Sequence, residues 1–366
     1  MKREAGLLFA LFVGINIFKD WKNTVPLLLA GDTNEMVSGA TVTKKTQLPF
    51  CTRQQIRQGK WVNRTFEKPF YVPSPGKRCP GRDGIAHDGT FKTHVWEPTS
   101  SRNGQCTFLP MDVPLLCQKL TQKTVLVVGD SLATEIFHSF LYFMGKYPAR
   151  FVANAHLPAH TTRNPVILSV CNDTANIAYL PLDPLFKADE LAVHLIHNKT
   201  IEPDILILNR GAHIVTDDQY QQELPTLANL LTQYRTRRPD ARILWKTTTP
   251  GHPNCWEYNA PQANETHMWE LIQNASLYTF HKDAKIFRWW WFPSQSQLVL
   301  DALMTSSIQL EVLDGWDLLL SRPDLHRGKI MKRYDCLHHC QPGPHDVFAQ
   351  LLLNYLHMTP QQVMSE

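Results

Sequence analysis

The sequence predicts an α/β protein built on a mostly parallel sheet with helices on both faces. Three observations lead there. Val125-Leu126-Val127-Val128 runs straight into Gly129-Asp130-Ser131, and the amphipathic stretch from Ile136 to Leu141 follows at once, which is the order of a buried strand, a tight turn and a helix. Further on, apolar β-favouring runs alternate with segments of helical spacing, the pattern of strands joined by crossover helices. The 366 residues are 43% hydrophobic, enough to bury one large core with a small appended region.

Taken in order, the chain begins with Met1-Lys2-Arg3-Glu4 and a mostly apolar run from Ala5 to Phe18. That run fits the apolar region of a signal peptide better than a full span, which takes about 20 residues. A second apolar patch, Val25 to Ala30, keeps an uncleaved signal anchor open, with Lys2 and Arg3 on the cytosolic side. Residues 1–30 are therefore expected to be a signal peptide or signal anchor, and 31–50 a linker.

From Cys51 to Cys117 the chain lacks long periodicity and is rich in Pro, Gly and aromatic residues. Such a segment holds its shape when disulfides staple it or when it packs on the main domain. Trp61, Tyr71 and Trp96 read either as a sugar-stacking surface or as satellite core.

Beyond Ser131, Pro165–Val170 reads as a strand and Asp204–Leu208 as a stronger one, ending at Asn209-Arg210-Gly211-Ala212-His213. Asp217–Arg237 has helical spacing, Ala241–Trp245 returns as a strand, Glu265–His281 as a helix, and Glu311–Asp314 as a late strand. Helix Asp346–Leu356 closes the domain. In this architecture ligands collect at the carboxyl ends of the strands, where Ser131, Asn209 and Lys246-Thr247-Thr248-Thr249 all fall.

Composition excludes little but points clearly. The net charge of +4 is small, and no Lys/Arg run is interleaved with aromatics, so nucleic-acid binding has no support. There are eight cysteines, none spaced as a Cys-x-x-Cys pair, and Cys336 and Cys340 flank His338. Four disulfides formed in an oxidising compartment explain them better than metal ligation. Five acceptor sequons, beginning at Asn63, Asn172, Asn198, Asn264 and Asn274, agree with passage through the secretory pathway. Cys255 or Cys79 is expected to bridge to Cys336 or Cys340.

The chemistry lies in two places. A serine after a strand and before a helix is lifted to the sheet edge beside free backbone N–H groups, a position suited to a nucleophile; the alternative is that Asp130 or Ser131 caps the helix. Far downstream, Asp335-Cys336-Leu337-His338 puts a carboxylate and an imidazole three residues apart, so that the carboxylate can orient a base. Asn209 and Gly211 read as oxyanion donors beside the Ser131 N–H, or as an ordinary turn. His213 and His252 line the acceptor site or are structural.

With these residues assembled, the chain resembles the PC-esterase group of SGNH/GDSL-type proteins, in particular the plant trichome-birefringence-like polysaccharide O-acetyltransferases. The resemblance runs from Cys51 to Leu353. It rests on Cys51, Gly59-Lys60-Trp61-Val62, Pro69-Phe70-Tyr71, Cys79-Pro80, Gly81-Arg82-Asp83, Trp96-Glu97-Pro98 and Cys106-Thr107-Phe108-Leu109-Pro110 in front. It continues through Val128-Gly129-Asp130-Ser131-Leu132, Asn209–His213 and Thr249-Pro250-Gly251-His252. Its most specific part is Asp335-Cys336-Leu337-His338-His339-Cys340-Gln341-Pro342-Gly343, with Asp346 beyond.

The resemblance implies a three-layer α/β/α, SGNH-hydrolase-like catalytic domain over residues 118–358 behind a disulfide-stapled segment over 51–117. It implies Ser131 as nucleophile, His338 as general base and Asp335 as its orienter, with Asp130, His213 and His252 near substrate. The activity implied is acetyl transfer to a glycan or polysaccharide hydroxyl, with no bound cofactor or metal and with a donor such as acetyl-CoA as co-substrate. A secreted carbohydrate acetylesterase and a non-catalytic glycan-binding protein are the alternatives. The location implied is the Golgi lumen, as a single-pass type II membrane protein, or else secretion. One departure stands out: where that family carries an Arg shortly after Gly-Asp-Ser-Leu, this chain has Ala133-Thr134-Glu135.

Overall fold

A computed structural model describes residues 48–67, 91–144, 165–182, 188–197, 201–213, 216–274, 288–306, 308–330 and 333–364. The described residues cluster as one unit. The expected leader over 1–30, Tyr71 and Cys79 lie outside the described residues, as do 275–281 of the expected helix. No helix among the described residues is long and apolar enough to cross a membrane.

The centre is a six-stranded sheet of β3 (Thr124–Gly129), β4 (Val166–Val170), β5 (Ala175–Pro181), β6 (Ile205–Asn209), β7 (Arg242–Lys246) and β8 (Leu310–Leu313), in the spatial order β4-β5-β3-β6-β7-β8. β3 runs parallel to β5 and β6, β6 to β7, and β7 to β8. Only β4 is antiparallel, paired with β5. The alternation of the strands sorts the core into two layers. Val125 and Val127 face the cluster that holds Ile136, Phe137 and Phe140 of α2 (Ser131–Met144) and Phe348, Leu351 and Leu352 of α6 (Val347–Tyr355), together with Leu116 of α1 (Val113–Leu120). Leu126 and Val128 face the other cluster, which holds Leu224, Leu227 and Leu231 of α3 (Asp217–Arg237) and Val299 and Leu303 of α5 (Phe292–Thr305). The result is the three-layer α/β/α arrangement that the sequence predicts.

Several elements differ from the sequence reading. β5 was not anticipated, because Ala175–Pro181 follows the turn Cys171-Asn172-Asp173, whose residues all have positive φ, and its apolar run is short. The loop-rich N-terminal segment contains a hairpin, β1 (Gly59–Phe66) and β2 (Phe91–Pro98), with Trp61 opposite Trp96. α4 (Glu265–Gln273) stops earlier than its apolar spacing suggested, where Asn274 takes over as C-cap. The expected catalytic turn is an antiparallel ribbon, β9 (His326–Ile330) and β10 (Arg333–His339), whose register shifts between Asp335 and His339.

The N-terminal segment is fastened to the sheet domain by specific contacts. Cys51 is bridged to Cys106. Arg53 donates to both oxygens of Asp314, at 2.6 and 2.8 Å, at the carboxyl end of β8. Trp61 Nε1 donates to Leu318 O at 2.8 Å, and the Asn354 side chain holds both the N–H and the carbonyl of Leu109. Trp96 is 1% exposed and donates to Ile56 O, so it is core and not a sugar platform. A cavity of about 380 Å³ lies along the hairpin, and Trp61, Phe66, Phe108 and Phe143 are among its lining residues.

Candidate active site

Gly129 ends β3 with φ +147, a conformation that disfavours any side chain, and a Cβ there would stand 2.2 Å from the Asn209 carbonyl oxygen. Glycine is therefore required for β3 and β6 to come together at their carboxyl ends. Asp130 Oδ1 then accepts the Leu132 N–H at 2.9 Å and starts α2. Asp130 is 5% exposed, so its carboxylate serves the helix start and does not face substrate. Ser131 is left at the edge of the sheet as the first residue of α2.

The ribbon brings the second half. His338 Nε2 lies 2.7 Å from Ser131 Oγ, and its Nδ1 lies 3.1 Å from each carboxylate oxygen of Asp335. Asp335 Oδ1 also accepts the backbone N–H groups of Leu337 and His338, at 3.3 and 3.0 Å, which fix the carboxylate. With Nδ1–H donating to Asp335, Nε2 carries the lone pair that accepts the serine hydroxyl. The register shift in the ribbon lets Asp335 and His338 point the same way, although even spacing along a flat strand would place them on opposite faces.

The electrostatics suit a base. Burial pulls the His338 imidazole down, but the hydrogen bond and charge of Asp335, with Glu135 adding to them, leave its pKa above the ordinary value. Burial likewise raises Asp335, yet His338 and the Arg327 guanidinium leave it below the usual carboxylate range. Cys255 is bridged to Cys336, between Asp335 and His338, and ties the ribbon to the loop after β7. Cys117 is bridged to Cys171, and Cys340 is also disulfide-bonded.

Two further expected residues are buried. Asn209 is fully buried, and its amide nitrogen donates one of its two N–H groups to Lys246 O at 3.0 Å. His252 is equally buried, with Nδ1 2.7 Å from His326 Nε2 and Nε2 2.8 Å from Leu320 O, so it is a satisfied structural histidine. Burial pushes its pKa down to about 4. Gly211, at φ +155, packs against Thr248, where a Cβ would lie 2.1 Å from the hydroxyl oxygen. His213 is partly exposed.

Sequence reasoning missed the charged layer behind this site. Glu135, one turn along α2 from Ser131, is 1% exposed and accepts the His339 N–H at 3.1 and 3.3 Å and Arg327 Nη2 at 3.0 Å. His345 Nδ1 lies 3.0 Å from its Oε2. The helical spacing of Ser131 and Glu135 was the available signal, but it could not supply partners from β9 and β10. Glu135, His339 and His345 have ligand-type atoms within 4.8 Å of one another, and they are the group among the described residues most like a metal site. Arg327 and the His339 N–H already occupy the carboxylate.

A hydrogen-bonded Ser–His–Asp chain at the carboxyl edge of a mostly parallel α/β sheet is an arrangement suited to acting on acyl esters. Residues 189–355 match the PC-Esterase family, described as a GDSL/SGNH-like acyl-esterase family found in Pmr5 and Cas1p. The matched stretch contains Asp335 and His338 and begins after Ser131. Solved structures with similar folds include a GDSL-like lipase from Parabacteroides merdae, at 12% identity over 64% of this chain and 97% of that one, with a TM-score of 0.35. Another is an acetyl-xylooligosaccharide esterase from Geobacillus, at 12% identity over 66% of this chain and 97% of that one, with a TM-score of 0.33. At those scores neither adds to the residue-level argument. Among curated proteins no sequence matches the chain.

Proposed function

We propose that the protein is an O-acetyltransferase that moves an acetyl group through an acetyl-serine onto a glycan hydroxyl. The observation that carries this reading is the continuous hydrogen-bonded chain from Ser131 Oγ through His338 to Asp335. His338 Nε2 takes the hydroxyl proton as Ser131 Oγ bonds to the acetyl carbon. The bond from that carbon to the donor's leaving atom breaks, and the leaving group takes the proton back from His338. His338 then removes the proton of a sugar hydroxyl, whose oxygen bonds to the acetyl carbon while the Oγ–carbon bond breaks and Ser131 is reprotonated. Asp335 keeps the imidazole in the required tautomer throughout and stabilises the imidazolium. The Ser131 backbone N–H, at the positive end of α2, and that of Gly211 are the donors we assign to the tetrahedral oxyanion.

Water attacking the same intermediate would make the protein an esterase, and the two outcomes differ only in what reaches the acetyl-serine. The glycan acceptor, the acetyl donor and a Golgi or secreted location rest on the family resemblance, on the disulfides and on the sequons. The test is to supply an acetyl donor with and without oligosaccharide acceptors and to measure free acetate and acetylated glycan together. Acetyl-glycan formed at the expense of acetate supports transfer. Acetate release unaffected by any acceptor establishes the esterase instead.

A further inference from the structure

We propose that Glu135 and Arg327 form a charge clamp that fastens the Asp335–His338 pair to the helix carrying Ser131, both acting as positioning residues for the acyl transfer proposed above. The inference rests on that reading for its chemistry, but its geometry stands apart from it. Residues four apart on a helix share a face, so Glu135 looks toward the ribbon from the same side of α2 as Ser131. Its carboxylate accepts the N–H of His339, the residue directly after the base, at 3.1 and 3.3 Å. Its backbone carbonyl accepts Gln341 Nε2 at 2.9 Å. Arg327 donates Nη2 to Glu135 at 3.0 Å and holds Nη1 3.8 Å from Asp335 Oδ2. One guanidinium therefore spans the carboxylate on the nucleophile's helix and the carboxylate that orients the base.

The two charges act on the imidazole in opposite senses. Glu135 favours the protonated form of His338 and Arg327 disfavours it, so the two partly offset each other. The other titratable groups set around His338 are Asp335 on its own strand, His326 on β9, whose Nδ1 lies 3.3 Å from the His338 carbonyl oxygen, the adjacent His339, and His345. Of these, burial keeps His326, His339 and His345 below the ordinary imidazole value, so they are neutral near pH 7. Burial works against the Glu135 carboxylate, yet the hydrogen bonds of His339 and His345 and the Arg327 charge leave it well below the usual carboxylate range. Removing one arm of the clamp exposes the imidazole to the other.

The test follows the protonation of His338 by NMR or by its rate of carbethoxylation mapped by mass spectrometry, alongside kcat and KM for 4-nitrophenyl acetate. Glu135→Gln is expected to move the His338 midpoint to lower pH and Arg327→Gln to move it to higher pH. The double variant should return it toward wild type, and Arg327→Lys should leave it near wild type. In Glu135→Gln kcat should fall about tenfold or more with KM little changed, since the binding surface is untouched while the base is misplaced. Shifts of the same sign in both variants, or none, would overturn the clamp, because a merely structural pair gives no reason for opposite signs. A stoichiometric divalent cation in the wild type that Glu135→Gln loses would overturn it in favour of a metal centre. Should Glu135→Gln fail to fold, Arg327→Gln and Arg327→Lys, at a partly exposed side chain, carry the same test. Opposite shifts in a wild type that transfers no acyl group would remove the acyl-transfer reading and support the clamp. Unchanged midpoints in an active enzyme would remove the clamp alone.

Discussion

Ser131 Oγ and His338 Nε2 stand 2.7 Å apart although 207 positions separate them. One belongs to the first turn of the helix after the central strand, the other to a two-stranded ribbon outside the sheet. Their meeting depends on every device that seats the ribbon: the Cys255–Cys336 bridge, the hydrogen bond from His252 N to Cys336 O at 2.9 Å, and the grip of Glu135 on His339.

Asp335→Asn should lower kcat by about 10⁴-fold, because an amide N–H donated to His338 Nδ1 selects the tautomer with its proton on Nε2 and leaves no lone pair there for the serine hydroxyl. The fold should survive, since Asn can still accept the Leu337 and His338 N–H groups. Steady-state kinetics together with a melting curve separates the two effects.

The pH profile follows from the raised pKa of His338. The base works only when neutral, so kcat/KM should fall as pH drops through a midpoint above the 6.5 or so of an ordinary imidazole. In Asp335→Asn the raising partner is gone and that limb should move to lower pH. The folding contribution of Asp335 has the usual sign for a depressed carboxylate: it is present above the unfolded carboxyl value and lost as pH falls through the lower, folded one.

Replacing Cys255 and Cys336 together opens a loop with a sequence separation of 81, which on chain entropy alone removes about 4 kcal/mol of stability. Activity should fall further than stability at temperatures where the protein is still folded, because the bridge adjoins Asp335. The Cys51–Cys106 pair, with a separation of 55, should cost about as much stability and far less activity. Comparing residual activity at matched distance below each melting temperature tests the difference.

Lys246 is fully buried at the end of β7, its amine has no hydrogen-bond partner among the described residues, and burial brings its pKa down to about 7. The folded chain therefore releases a proton that the unfolded one keeps, and stability should rise between pH 7 and the unfolded lysine value. Lys246→Met should be more stable at pH 7 by a few kcal/mol and show a flatter slope above it, read from urea melts across that range.

Much of this was legible in the sequence because it is written locally. Val125–Val128 followed by Gly-Asp-Ser states strand, turn and helix in one stretch, and the parallel sheet follows from the alternation beyond it. Asp335 and His338 read as a pair on one turn, and it is the register shift of the ribbon that makes them meet. What was not legible depends on contacts across the chain. Asn209 ends a strand at the right edge, but its bond to Lys246 O on the neighbouring β7 is a contact no local pattern announces. His252 follows a Pro-Gly turn as a substrate ligand would, yet His326, from a distant ribbon, takes its ring nitrogen. Trp96 reads as platform or as core, and the choice falls to its hairpin partner and Ile56, which bury it. The antiparallel β4 differs from the other strands in no local feature of its sequence.

The central claim is that Ser131 forms a covalent bond to the acyl group. Intact-mass and peptide mass spectrometry of the protein quenched in acid after seconds with an activated acetate ester tests it most directly. An added acetyl is expected on the peptide that contains Ser131, absent in Ser131→Ala and discharged on adding an acceptor or on standing in water. Turnover of the ester at the same rate in Ser131→Ala, with no acetyl on that peptide in the wild type, would contradict it.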